Sequence, residues 1–167
     1  RPLIDRLILN RTRIIAHNAA FDIPILHRYG FAIDWQDVWD TMLSGYILGN
    51  KLALKSRALR EHNILMQTFN DVGEGEKDSS KIELEKLVEY AGPDSAQTLQ
   101  LYYEDEQEIN TRGVQHAMAI ELKLLPVLRD MHERGIYIDR PHLDWLGEEV
   151  VHLVAEAEDK VYEIAGR

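Results

Sequence analysis

The sequence contains no cysteine, which excludes disulfides and thiolate metal sites and suits a reducing compartment. No stretch approaches the roughly 20 apolar residues that span a bilayer. Nor is there a basic, apolar, small-residue start of the kind that marks a signal peptide. Positive charge is also scarce: 19 Lys and Arg stand against 29 Asp and Glu, a formal net charge of −10. That balance argues against a surface that coats nucleic acid generally. It remains compatible with an enzyme that meets phosphates through cations, because a carboxylate-lined site adds negative charge that Mg²⁺ cancels.

The 167 residues are 45% apolar and 29% charged, the profile of a globular chain of one domain or one and a fraction. Residue 1 is Arg, the first Met is Met42, and Glu163–Arg167 close the sequence within a helical pattern. These ends read as those of a segment cut from something longer.

Leu3, Ile4, Leu7 and Ile8 recur at helical spacing. Arg13–His17 is short, apolar and β-branched, which predicts a buried strand. Asn18 is then expected to cap a helix over 19–29, with Pro24 tolerated in its first turns and Gly30 ending it. Phe31–Ile33 and Val38–Trp39 are strand candidates, and Asp40 is the expected cap of a helix carrying Met42, Leu43, Tyr46 and Ile47. A helix over 56–62 follows, then an expected flexible loop over 70–80 with Gly73 and Gly75. Ser80-x-x-Glu83 has the capping-box pattern, ahead of a stripe of Ile82, Leu84, Leu87, Val88 and Ala91. The composition shift near Asn110–Gly113 predicts a boundary. Beyond it lie a helix from Met118 to Met131 with a kink at Pro126, an extended piece ending at Asp139, and a last long helix striped by Leu143, Leu146, Val150, Val154, Ala157, Val161 and Ile164.

Two segments carry candidate chemistry. In His17-Asn18-Ala19-Ala20-Phe21-Asp22 a strand runs into a helix with a carboxylate in its first turn. Strand ends are where open α/β sheets build sites, although a first-turn Asp also serves helix electrostatics alone. In Tyr90-Ala91-Gly92-Pro93-Asp94 a phenol and a carboxylate four apart share a helix face. Taken alone, core packing of Tyr90 and a solvated Asp94 are the better account of that pair.

Taken together, Asn18-x-x-Phe21-Asp22 and Tyr90-x-x-x-Asp94 resemble the second and third motifs of DnaQ-like 3′→5′ exonucleases. Asp40-Thr41-Met42-Leu43-Ser44-Gly45-Tyr46-Ile47-Leu48 resembles the helix after the second motif in family A DNA polymerases. Thr98–Leu101, Leu125–Leu128, Gly135–Asp139 and Glu163–Gly166 look like the same family, so the resemblance runs along nearly the whole chain. It implies an α/β, incomplete ribonuclease H-like exonuclease fold over 1–112. Residues 113–167 would open the polymerase domain with helices leading to the thumb.

The resemblance makes Asp22 and Asp94 metal ligands for Mg²⁺ or Mn²⁺ and Tyr90 the residue that orients the attacking water. Glu89 stands where the histidine subtype has His, so the tyrosine subtype is implied. Asn18, Phe21 and His17 fall where the family contacts the terminal nucleotide. The implied activity is proofreading, the removal of mismatched 3′ nucleotides by two-metal hydrolysis. Template-directed synthesis would lie in a part outside this chain. The implied partner is a single-stranded DNA 3′ end and not a membrane, in a monomeric parent, in the cytoplasm of a bacterium or phage-infected cell.

Phe21 suits such an end, since any base can stack on it. The first motif of the family, Asp-x-Glu, is not among these residues, and Asp5, Asp37 and Asp40 sit where helix or cap is expected. The fragment by itself is therefore expected to be inactive. Pro93 departs from a regular helix as well, because an interior proline costs about 3 kcal/mol. Two other readings are an RNase D-like exoribonuclease and an inactive exonuclease-like scaffold of a polymerase.

Overall fold

A computed structural model describes residues 2–73, 76 and 78–166; Glu74, Gly75 and Lys77 of the expected loop lie outside the described residues. The chain forms two compact units that divide between Asp130 and Met131. In the first, α1 (Pro2–Leu9) precedes β1 (Ile14–Ala16), and α2 (Ala19–Arg28) leads across to β2 (Val38–Asp40). The strands pair in parallel, with Ile14 opposite Val38, Ile15 opposite Trp39 and Ala16 opposite Asp40. The result is a mixed, helix-rich architecture around a small parallel sheet.

β1 is a continuous apolar run, and β2 is apolar up to its final Asp40, because both faces of the sheet are covered. Side chains alternate across a strand, and the two faces feed different clusters. Ala16 and Val38 pack with Ala19 and Ile23 of α2, Ile33 and Leu125. Trp39 packs on the opposite side with Leu48, Tyr102, Ile109 and Met118. Phe31–Ile33, expected as a strand, has no regular structure: Ile33 is buried, but its carbonyl accepts from the side chain of His27 at 2.8 Å instead of joining a ladder.

Next come α3 (Thr41–Leu48), α4 (Leu54–His62) and α5 (Phe69–Gly73), so part of the expected loop over 70–80 is helical. The 29-residue α6 (Leu84–Arg112) runs without interruption through Pro93. The expected capping box does not form. Ser80 lies in a 3₁₀ turn, held by Asp78 through its backbone and hydroxyl, and Glu83 precedes α6 without a side-chain cap. Gly113 ends α6 at φ +70, a left-handed conformation that glycine adopts at little cost.

Then α7 (Gln115–Arg134) begins, buries Met118 and Leu125, and carries Pro126 inside it. The second unit contains the end of α7, the irregular stretch 135–139, and α8 (Arg140–Ala165). As expected, Asp139 caps α8 by accepting from the backbone N–H of His142 at 3.2 Å. The predicted stripe of α8 is exposed throughout.

A buried ion network locks α3, α4 and α6 together. The guanidinium of Arg57, 1% exposed, donates all five of its N–H groups. Two reach Asp105 at 2.9 and 2.7 Å, two reach Glu61 at 3.0 and 2.9 Å, and one reaches the Thr41 carbonyl at 3.1 Å. Ser44 completes the shell by donating to Asp105 at 2.5 Å. A Cβ at position 45 would stand 2.9 Å from Arg57 Nη1, so Gly45 is what lets α3 approach the guanidinium. Breaking one side of such a pair leaves an uncompensated buried charge. Asp105→Ala is therefore expected to lower the unfolding free energy by about 3 kcal/mol or more. Urea denaturation reads this; a loss below about 1 kcal/mol would mean the pair behaves as a surface bridge.

His62 adds a pH-sensitive tie between α4 and α6. Its ring nitrogens face Gln97 Oε1 at 2.7 Å and Glu104 Oε2 at 2.8 Å. Only the imidazolium carries a proton for each of these acceptors. Burial pulls its pKa down, but Glu104, Gln97 and the charge of Glu61 more than offset this and hold it above the ordinary 6.5. A raised folded pKa means the tie is complete below 6.5 and is lost as pH rises through the raised value. Thermal melts should therefore show stability falling as pH rises from 6.5 through that raised value in the wild type, and a flatter profile in His62→Gln.

Candidate active site

The start of α2 is set by a residue distant in sequence. Asp40, 1% exposed at the end of β2, accepts from the backbone N–H of Asn18 at 3.1 Å, Ala19 at 2.7 Å and Met42 at 2.8 Å. One carboxylate thus holds the beginnings of α2 and α3 together. The expected side-chain cap by Asn18 is corrected here. Asn18 sits in the left-handed region at φ 72, ψ 57 and makes no side-chain cap bond. Caps need extended backbone, whereas asparagine is among the few residues that tolerate the left-handed one.

His17 is fixed beside this junction. Its Nδ1 lies 2.9 Å from Thr41 Oγ1, and that hydroxyl donates to the Ala16 carbonyl at 3.1 Å. With its single proton committed, the Thr41 hydroxyl accepts from Nδ1–H, which assigns the tautomer. Nε2 is buried and makes no hydrogen bond of good geometry. Burial holds the imidazole below its ordinary pKa, against an opposing pull from Asp40.

Asp22, Tyr90 and Asp94 meet His17 around one cleft of about 910 Å³. Burial raises the Asp22 carboxyl above its ordinary pKa, and the like charge of Asp40 adds to this. Tyr90 and Asp94 stand one turn apart on α6, both half-buried, with the helix intact across Pro93. Asp94 Oδ1 is buried without a hydrogen-bond partner. The Tyr90 ring meets Phe69 edge-on, centroids 6.0 Å apart, and carries the Lys55 ammonium 4.3 Å from its centroid.

Ile14, Ile15, Ala16 and His17 all line the cleft. Consecutive strand residues point to opposite faces, so the cleft runs along the edge of β1 and not over one face. Among the described residues that edge has no partner strand. Asn18 and Phe21 do not line the cleft; both are exposed, Phe21 at 64%, beside lining residues in sequence.

The cleft offers oxygen donors to a divalent cation. Two carboxylates, one with a buried unpartnered oxygen, are the hard donors such an ion prefers. No group of three or more His, Asp or Glu able to hold a metal occurs among the described residues. Asp40 is engaged by three backbone N–H groups and Asp37 by Arg11 at 3.2 Å. These residues do not by themselves fit a two-ion centre.

Sequence reasoning missed Lys55 and underrated Asp40. Lys55 follows the apolar Leu52-Ala53-Leu54 with no motif around it and gains meaning only when α4 packs beside Tyr90. Asp40 was legible as the cap of α3, but its grip on α2 depends on the pairing of β1 with β2.

Comparison with known proteins places the chain in a family. Residues 2–109 match the family described as 3′-5′ exonuclease, of the DNA polymerase A type, and the chain belongs to that family. Among its relatives, DNA polymerase I of Chloroflexus aurantiacus is 30% identical over 90% of this chain and 17% of its own length. DNA polymerase I of Rhizobium leguminosarum is 30% identical over 91% of the chain and 16% of its own. DNA polymerase DpoZ of Vibrio phage phiVC8 is 24% identical over 92% and 28% respectively. The chain thus spans a minor part of each relative. Among the described residues no helix is long and apolar enough to cross a membrane.

Asp40→Ala removes three charge-assisted bonds and strands buried N–H groups at the start of α2. A loss of about 3 kcal/mol is expected, and Asp40→Asn should fall between the two. Urea unfolding measures both; equal stability of Asp40→Ala and wild type would refute the shared cap.

Proposed function

We propose that this chain is the proofreading part of a longer DNA polymerase, with residues 1–112 forming an incomplete ribonuclease H-like exonuclease domain. Residues 113–167 open the polymerase domain. The substrate is a single-stranded DNA 3′ end, from which a mismatched nucleotide is removed by phosphodiester hydrolysis. A frayed terminus is favoured because less unpairing energy must be supplied.

The observation that carries this reading is the meeting of Asp22, Tyr90 and Asp94 in one cleft. In this reading Asp22 and Asp94 are the oxygen ligands this chain contributes to a Mg²⁺ or Mn²⁺ site. An Asp-x-Glu pair elsewhere in the polypeptide completes it, carried on a strand that adds to the free edge of β1. Tyr90, oriented by Phe69 and Lys55, positions the attacking water. His17, Asn18 and Phe21 contact the terminal nucleotide.

The exposed stripe of α8 and the polymerase relatives favour this over an RNase D-like exoribonuclease. The absence of a three-ligand group among the described residues favours one other reading, an exonuclease-like scaffold without activity. Asp22→Ala with Asp94→Ala in the intact polymerase separates them. Loss of several kcal/mol of transition-state stabilisation should slow 3′ excision from a single-stranded oligonucleotide roughly a thousandfold, with polymerisation unchanged. Excision that is equal in wild type and double variant, or absent from both, would support the scaffold. The 167-residue chain alone is expected to release no nucleotides with Mg²⁺.

A further inference from the structure

Lys55 flanks the Tyr90 ring, but its charge has a second possible use, and its surroundings set it apart. Among the described residues lining the cleft it is the sole ammonium or guanidinium, in a cleft that Asp22 and Asp94 also line. It stands in the first turn of α4, with the stem half-buried and the ammonium 4.3 Å from the centroid of the Tyr90 ring. The ammonium also donates to the Gln67 carbonyl, just before α5. These two contacts hold the charge inside the cleft instead of letting the long side chain reach into solvent. An ammonium has three donors; the carbonyl takes one, and among the described residues no carboxylate accepts from another, although, after the hydrogen bonds from Thr68, this charge also helps to lower the Asp71 pKa.

We propose that Lys55 binds a backbone phosphate of the DNA strand entering this cleft, next to the residue attacked with the help of Tyr90. The inference rests on the exonuclease reading above. An anionic strand approaching two carboxylates is repelled unless cations intervene, and a fixed ammonium beside the phenol supplies protein charge where the strand must pass. Lysine suits the task as a point charge: it need not match one phosphate geometry and so tolerates any sequence at the end being trimmed. The contact through the Tyr90 ring couples the two residues, because a phosphate that draws the ammonium forward moves it relative to the ring.

The test is steady-state removal of 3′ nucleotides from a single-stranded oligonucleotide by the intact polymerase, at several NaCl concentrations. Lys55→Met and Lys55→Arg are compared with wild type and with Asp22→Ala. Lys55→Met keeps the apolar stem and should raise KM about fivefold, the size of one exposed ionic contact, with a smaller change in kcat. It should also make the fall of log(kcat/KM) with log[salt] shallower by about 0.7, the counterion release of one single-strand phosphate. Lys55→Arg should restore KM and slope.

An unchanged KM and salt slope in Lys55→Met, with Asp22→Ala inactive, would overturn this proposal and leave the exonuclease reading standing. Excision unaffected by Asp22→Ala would remove both. A lowered melting temperature with an unchanged slope, not rescued by arginine, would show that Lys55 only secures α5 through Gln67, which also overturns the proposal.

Discussion

Asp40 is the point at which strand order, helix starts and site geometry become one problem. Its carboxylate ends β2, opposite Ala16 in the pairing, and accepts from N–H groups at the start of both α2 and α3. A buried carboxylate is costly unless its oxygens are filled with donors. Unsatisfied N–H groups at helix starts carry the complementary cost. The two costs cancel only when β1 and β2 are in this register and both helices begin beside them. The direction in which α2 leaves the sheet, and hence the position of Asp22, follows from that cancellation. His17 is tied to the same junction through Thr41, so the floor of the cleft has little freedom to move independently of the strands.

The opposite wall is built differently. The half of α6 that packs is its C-terminal half, where Leu101, Tyr102, Asp105 and Ile109 are buried. Tyr90 and Asp94 stand on the earlier half, where Leu84 and Val88 are exposed and Gly92 has open space around it. Helix continuity therefore transmits the Arg57–Asp105 anchor toward the chemistry. Pro93 lies between them and removes one backbone bond. Few buried contacts on such a segment make it a place of low local stability. Phe69 and Lys55 compensate by holding Tyr90 from the side.

Most of the helices were legible because amphipathic spacing is a local signal, and Asp40 and Asp139 were legible as caps because capping is local as well. The failures share a cause. Asn18 and the Ser80–Glu83 pair have cap-like composition, but the chain takes a left-handed residue at one and a 3₁₀ turn at the other. Phe31–Ile33 has strand-like composition, yet a strand exists only where a neighbour completes its hydrogen bonds, and His27 takes the Ile33 carbonyl instead. Of the candidate site, Asp22, Tyr90 and Asp94 were readable as a pattern whose members the fold brings to one cleft. The five-donor network of Arg57 could not be read in advance, because nothing local distinguishes a buried arginine from a solvated one in Lys-Ser-Arg-Ala-Leu-Arg.

The net charge of −10 and a nucleic-acid substrate conflict only if charge is treated as uniform. Screening confines an exposed charge to about 8–10 Å at ordinary ionic strength, so what a strand end meets is the local composition of the cleft and not the total. Among the described residues that local composition is two carboxylates and one ammonium. On the proposed reading, two further carboxylates arrive with a strand along β1, and divalent cations then become an electrostatic requirement for the cleft to admit a phosphate at all. On the same reading Lys55, held by Tyr90 and Gln67, adds a fixed protein charge to those cations. The same argument explains why the acidic bulk of the chain is no obstacle. Charges on the far side of α6 are screened from the cleft, while an ammonium 4.3 Å from the Tyr90 ring is not.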